Sequence, residues 1–176
     1  AVISMGDIVE STSLRVAGDE LNSAIQNYIK DAYGLEIGEA SAERIKIEIG
    51  SAYPLEEELE MEVRGKDSLA GLPRSVVVKS PEIREALKGP VEQITLAIKA
   101  TLDKTPAELH ADMYESGITV AGGGAHLRGI DRLVARETGL PVRRAEDPLT
   151  AVARGTGIAL EHLEAFWKIL EHGHES

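Results

Sequence analysis

Residues 117–131, Gly-Ile-Thr-Val-Ala-Gly-Gly-Gly-Ala-His-Leu-Arg-Gly-Ile-Asp, constrain the fold more than any other stretch of the chain. A short apolar run leads straight into three glycines, and beyond them Leu127, Ile130, Leu133 and Val134 fall at helical spacing. The segment predicts a strand, a tight turn and an amphipathic helix. Glycines there accept positive φ, and without Cβ atoms they let a ligand reach the main chain. Free N–H groups at the start of the new helix favour anionic or polar ligand atoms. Taken alone, a glycine run is better read as a tight turn with no ligand. The dinucleotide fingerprint also fails, because Leu127 stands where its third glycine belongs after Gly122 and Gly124. A Walker loop is ruled out too: Gly65-Lys66 is followed by Asp67.

Other segments give the glycine run company. Residues 145–160 place a second small-residue cluster inside a helical pattern, with Asp147 as its expected cap and Pro148 in its first position. Gly155 and Gly157 would each cost roughly 1 kcal/mol inside that helix, so close packing or a close ligand is expected to offset them. Upstream, Glu43 and Lys46 stand three apart, hence on one helix face.

Together these residues resemble the C-terminal half of an actin-fold ATPase, most closely the MreB family of bacterial actins. The resemblance is carried by residues 15–20, 42–53, 120–131 and 146–160, in the family's order and approximate spacing, and fades only in the last dozen residues. It implies an α/β fold: the second half of the actin-like ATPase, with helices packed on a mixed sheet and a small α+β satellite subdomain. Residues 1–53 and 80–176 would form the main subdomain, and 54–79 with adjoining helices the smaller one. It implies ATP as ligand, with the glycines and their following alanine along the adenosine and the Glu-Arg-Ile-Lys stretch at the ribose and base. Carried over, these are Gly122, Gly123, Gly124 and Ala125, with Glu43, Arg44 and Lys46. Ala121 departs from a usual threonine and Ala151 from a common cysteine. The two aspartate-bearing phosphate hairpins that hold Mg²⁺ in that family are not in this sequence, and neither is the group that positions the attacking water. No catalytic residue and no metal ligand is therefore assigned. The chain also lacks an initiator methionine and reads as half of a longer protein. Implied partners are the missing N-terminal half, further copies in a protofilament, and cell-shape membrane proteins. Half of a chaperone ATPase, half of a small-molecule kinase, and a non-hydrolysing filament-binding module are the alternatives.

Composition bounds the rest. With 176 residues and 43% hydrophobic content the chain can bury a core, but 3% aromatics leaves that core to Leu, Ile, Val and Ala. A net charge of −11 argues against nucleic acid and against an anionic membrane anchor. No apolar run is long enough for a membrane span, and neither a secretory signal nor a cysteine is found, so a cytoplasmic setting is expected.

Along the chain, residues 1–17 predict a hairpin turning at Gly6-Asp7, and Asp19 a helix cap. Leu21, Ala24, Ile25, Tyr28, Ile29 and Ala32 keep helical spacing until Gly34. A second helix is expected over 42–52. Strands are expected at 58–64, with Glu58, Glu60 and Glu62 on one solvated face, and at 74–79. A helix over 81–102 is expected, capped by Ser80 and kinked or divided at Pro90. Thr105 to Glu108 reads as a capping box, and 140–144 as a strand. The stripe Leu163, Phe166, Trp167 and Leu170 is expected to pack in the core unless another part of the protein covers it. His126 reads equally as a surface histidine or a nucleotide neighbour, and His172-Gly-His174 as a frayed tail.

Overall fold

The computed structural model describes residues 1–164 together with Phe166 and Trp167; Leu170 and the His172-Gly-His174 tail lie outside the described residues. The helix α1 (Gly18–Tyr33) turns Leu21, Ile25 and Ile29 inward, the stripe its spacing dictates, and packs against α2 (Glu39–Ile49) and α3 (Ser80–Lys104). An antiparallel sheet closes this layer, ordered β3 (Leu35–Glu36), β4 (Glu60–Asp67), β5 (Pro73–Lys79). Alternation along β4 sends Val63 into the core opposite Val76, while Glu60 and Glu62 face water. Leu35, Ile45, Val78, Ile83 and Leu87 are fully enclosed.

The remaining elements are smaller. An antiparallel hairpin joins β1 (Val2–Ser4) to β2 (Asp7–Glu10), and α4 (Ala107–Ser116) precedes a parallel pair, β6 (Ile118–Val120) with β7 (Val142–Arg144). Between them α5 (Ile130–Thr138) puts Ile130 and Val134 into the common core, and α6 (Ala151–Glu161) follows. The architecture is mixed α/β, with the parallel strand–helix–strand unit carrying the glycine turn. Among the described residues no helix is long and apolar enough to cross a membrane.

Several local expectations are corrected. The first hairpin turns at Met5-Gly6, whose φ values of 53° and 87° fit the twist of a two-residue turn. Asp19 lies inside the first turn of α1, where its charge suits the helix dipole, and Ala17 is the cap position. The second helix begins at Glu39 and stops at Ile49, three residues before the expected end, because Gly50 leaves helical geometry. Pro90 does not divide α3. Leu87 and Val91, both buried, hold the helix against the core across the missing N–H. Ser80 does not cap it either: Lys79 N–H donates to Glu82 at 2.9 Å, while Ser80 Oγ accepts from Leu59 N–H at 2.8 Å and donates to Glu58. Glu58 is therefore not simply solvated; Arg84 Nη2 meets it at 2.7 Å. Thr105 turns inward onto the Thr101 carbonyl instead of capping α4. The two-residue β3 is too short to show in any alternation.

Candidate functional site

The glycine turn departs from expectation in one respect. The chain does not pass from glycines straight into an α-helix. A single 3₁₀ turn, Gly123–His126, comes first, and α5 starts only at Ile130, after Gly129 in the left-handed region. The polar end of α5 is thus displaced from the glycines. What the turn offers is bare backbone. Gly122 holds φ 79° and ψ 177°, a conformation that side-chain-bearing residues avoid, and a Cβ on Gly122 or Gly124 would meet nothing within 4 Å. Gly123 faces only Leu149 Cδ2, at 3.7 Å from an ideal Cβ. Ala125 is buried as a whole residue, 4% exposed, within the 3₁₀ turn. His126 is exposed at the end of the 3₁₀ turn.

The second small-residue cluster does meet the first. Gly122 N–H donates to the Pro148 carbonyl at 2.7 Å. Asp147 does not cap α6 as expected. Its carbonyl accepts from Ala151 N–H at 3.0 Å and its carboxylate from Thr150 Oγ1 at 2.5 Å, holding a turn that delays the helix to Ala151. Nor does close packing compensate Gly155 and Gly157, since a Cβ at either would meet nothing within 4 Å among the described residues. Of the apolar stripe, Leu163 and Trp167 are exposed instead of packed in the core, and Phe166 is half-buried.

On α2, Glu43 is exposed and Lys46 half-buried, with Lys46 Nζ donating to the Gly18 carbonyl at 3.3 Å. Gly18 belongs to the segment 15–20 that the sequence reading had singled out without assigning it a role. One turn along α1, Asn22 is buried, and its Oδ1 meets no donor among the described residues. Arg44 is set apart from the other two: it pairs with Glu48 at 3.6 Å and lines a cleft toward β4 with Glu62 and Arg64. The structure therefore joins Lys46 to the start of α1, leaves Glu43 exposed one turn back on α2, and turns Arg44 toward β4.

The link between α2 and the glycine turn is Arg128, which sequence reasoning missed. Its Nη1 donates to the Ile47 carbonyl at 2.7 Å and reaches the Gly50 carbonyl at 3.4 Å, and its own carbonyl accepts from Ala52 N–H at 2.7 Å. An arginine just past a glycine turn reads as an ordinary surface cation; nothing in its spacing reveals partners some 80 residues upstream. Gly129 completes the joint, for a Cβ there would come within 2.6 Å of Tyr53 Cβ.

Behind this joint lies a second concavity of about 340 Å³, between residues 51–54, α3 and α5, floored by Leu87, Val91 and Leu133. Tyr53 lies under the Arg136 guanidinium, 5.3 Å from its ring centre. Lys99 and Arg136 hold the Glu137 carboxyl below its ordinary range, and Arg84 with Ser80 does the same for Glu58. Burial and a hydrogen bond to Glu82 push the Tyr33 phenol up to about 12. These ion pairs brace the scaffold; none touches the glycine turn. No group of three or more His, Asp or Glu side chains is placed to hold a metal among the described residues.

The family model for MreB/Mbl protein matches residues 1–168. The cell shape-determining protein MreB of Escherichia coli K12 is 52% identical over 164 residues, covering 93% of this chain and 47% of the relative. The cell shape-determining protein Mbl of Bacillus subtilis is 47% identical over 93% of this chain and 49% of its own length. Among solved structures, MreB5 of Spiroplasma citri bound to AMPPNP superposes with a TM-score of 0.87 at 38% identity, over 97% of this chain and 50% of that one. The MamK double helical filament gives a TM-score of 0.64 at 25% identity over 77% of this chain and 41% of that one. The chain thus spans about half the length of the curated relatives it matches.

Proposed function

This chain belongs to the MreB/Mbl family of actin-like, cell shape-determining proteins, and from that premise we propose that it forms the adenosine-holding wall of an ATP-dependent filament protein. The Gly122–Gly124 backbone lies along the adenosine, with Ala125 supporting the turn from beneath. Glu43 and Lys46 reach the ribose and base side, and Arg44 flanks them from the β4 face. Phosphate and Mg²⁺ contacts belong to polypeptide outside this sequence. Residues 54–79 with their adjoining helices form the smaller subdomain. The assembled protein is cytoplasmic, pairs with further copies in protofilaments, and meets cell-shape membrane proteins at the membrane.

The observation that carries this reading is the open glycine turn, bare of side chains over Gly122 and Gly124 and joined through Arg128 to the helix bearing Glu43 and Lys46. Its likeness to MreB5 bound to AMPPNP and to ADP supports a nucleotide at this wall, and the likeness to the MamK filament supports self-association. When bound, the nucleotide supplies a link between two lobes, so that gripping its two ends favours a closed subunit shape. This chain's part is to bind and orient the adenosine end.

Calorimetry with Mg-ATP tests the division of labour. This half alone should bind with a Kd weaker than ~0.1 mM, since losing about 4 kcal/mol of contacts turns micromolar binding millimolar. Tight, Mg²⁺-dependent binding by these 176 residues would defeat the proposal that the phosphate machinery lies elsewhere.

A further inference from the structure

We infer that Arg128 is a positioning residue: it sets the separation between the glycine turn and the Glu43–Lys46 face of α2, and so governs how tightly an adenine nucleotide is held without touching it. The inference rests on the nucleotide reading above.

The argument begins at the end of α2. The last carbonyls of a helix have no intrahelical N–H and carry the negative end of its dipole, so they draw a cation. Gly50 N–H satisfies the carbonyls of Ile45 and Lys46, leaving those of Ile47, Glu48 and Ile49 and that of the cap residue Gly50; Arg128 Nη1 reaches two of these four, Ile47 at 2.7 Å and Gly50 at 3.4 Å. Residue 128 also grips with its backbone, through Ala52 N–H at 2.7 Å and a parallel bridge to Ser51. Both arms of the grip matter mechanically. On one side the anchored carbonyl of Ile47 adjoins Lys46. On the other, Leu127 is buried and follows the 3₁₀ turn that starts at Gly123, so a shift at 128 passes directly to the glycines. Gly129, with Tyr53 packed where its Cβ would be, removes slack from the C-terminal side. A ligand bridging the two walls is sensitive to their spacing, because contacts lose strength with small displacements.

The test is an NMR titration of the chain with Mg-ATP, following amides of Gly122–Ala125 and of Glu43–Lys46, at a temperature well below unfolding. In the unmodified chain both sets should shift with one common Kd. Arg128→Ala should weaken that Kd about tenfold, the worth of one charge-assisted hydrogen bond, with the α2 amides responding less than the glycines. Arg128→Lys keeps the charge but loses the fork, and should fall about threefold below the unmodified chain; it also carries the test if Arg128→Ala does not fold. Arg132→Ala is the control. It removes the same charge from an exposed side chain whose nearest acid, Glu56, is 3.9 Å away, and should leave Kd unchanged. Unchanged affinity in folded Arg128→Ala, or equal weakening in Arg132→Ala, overturns the inference while the nucleotide reading stands. No shift at either wall in the unmodified chain overturns that reading, and this inference with it.

Discussion

The layer built from α1, α2, α3 and the β3–β5 sheet and the segment around α6 are made of similar residues but reach opposite states. In the first, Ile25, Ile29, Leu35, Ile45, Ile83 and Leu87 show no exposure at all. In the second, α6 buries nothing, and Leu149, Val152 and Leu160 are 66, 69 and 62% exposed. Both carry helical spacing and aliphatic side chains, so the difference lies in what stands opposite. The first layer supplies its own opposing faces: helix against helix, sheet against both. Around α6 the described chain supplies none. An apolar face left this way marks where a protein is prepared to meet something else, and the bare glycine turn, tied to the residues just before α6 through Pro148, lies beside it.

The largest expected effect tests the comparison directly. Leu87→Ala in the packed layer should cost roughly 2–5 kcal/mol, the transfer term plus a cavity that rigid neighbours do not fill. Val152→Ala on α6 should stay within about 0.5 kcal/mol, as expected for exposed positions. Urea denaturation of the two variants measures both, and similar losses would break the contrast.

A pair of glycines sharpens it at smaller amplitude. Gly129 holds φ 72° with Tyr53 at 2.6 Å from an added Cβ, so Gly129→Ala should destabilise by about 1–3 kcal/mol. Gly155 sits inside α6 with open space around it, so Gly155→Ala should instead stabilise by about 0.5–1 kcal/mol. Opposite shifts in melting temperature are expected. A destabilised Gly155→Ala would mean that α6 already packs against something in this chain.

The smallest effect concerns the ion pairs bracing the packed side. Glu137, held down by Lys99 and Arg136, and Glu58, held down by Arg84 and Ser80, have folded-state values below the unfolded ones. Their contribution is therefore present above the ordinary glutamate value of about 4.3 and lost as pH falls through the lowered folded values. A Glu58→Gln/Glu137→Gln variant should lose less stability than the unmodified chain between about pH 5 and about pH 3. Identical acid profiles would remove these two carboxylates from the account. Because both are substantially exposed, the difference will be modest.

Legibility in the sequence tracked the range of the interactions. The stripe Leu21, Ile25 and Ile29, the alternation around Val63 and the strand before the glycines depend on neighbours within one element, and all appear where periodicity places them. The caps were less legible. Asp19, Ser80, Thr105 and Asp147 all carry suitable side chains, yet none caps its helix, because each either falls inside the helix or finds a better partner elsewhere. The candidate site divides along the same line. Its glycines and the Glu43–Lys46 spacing were readable, while the contacts made by Arg128, Gly18 and Pro148 were not.

By itself, then, the sequence determined most of the longer helices and strands and the bare turn, since these follow from side-chain period and the absence of Cβ atoms, and its motif segments carried the resemblance to actin-like proteins. Only the tertiary structure decided that α5 starts beyond Gly129, that Arg128 clasps the end of α2, and that Arg44 leaves the company of Glu43 and Lys46. The reason is physical: an arginine's partners are set by whichever orphaned carbonyls the folded chain brings within reach, and no local pattern records where those will be.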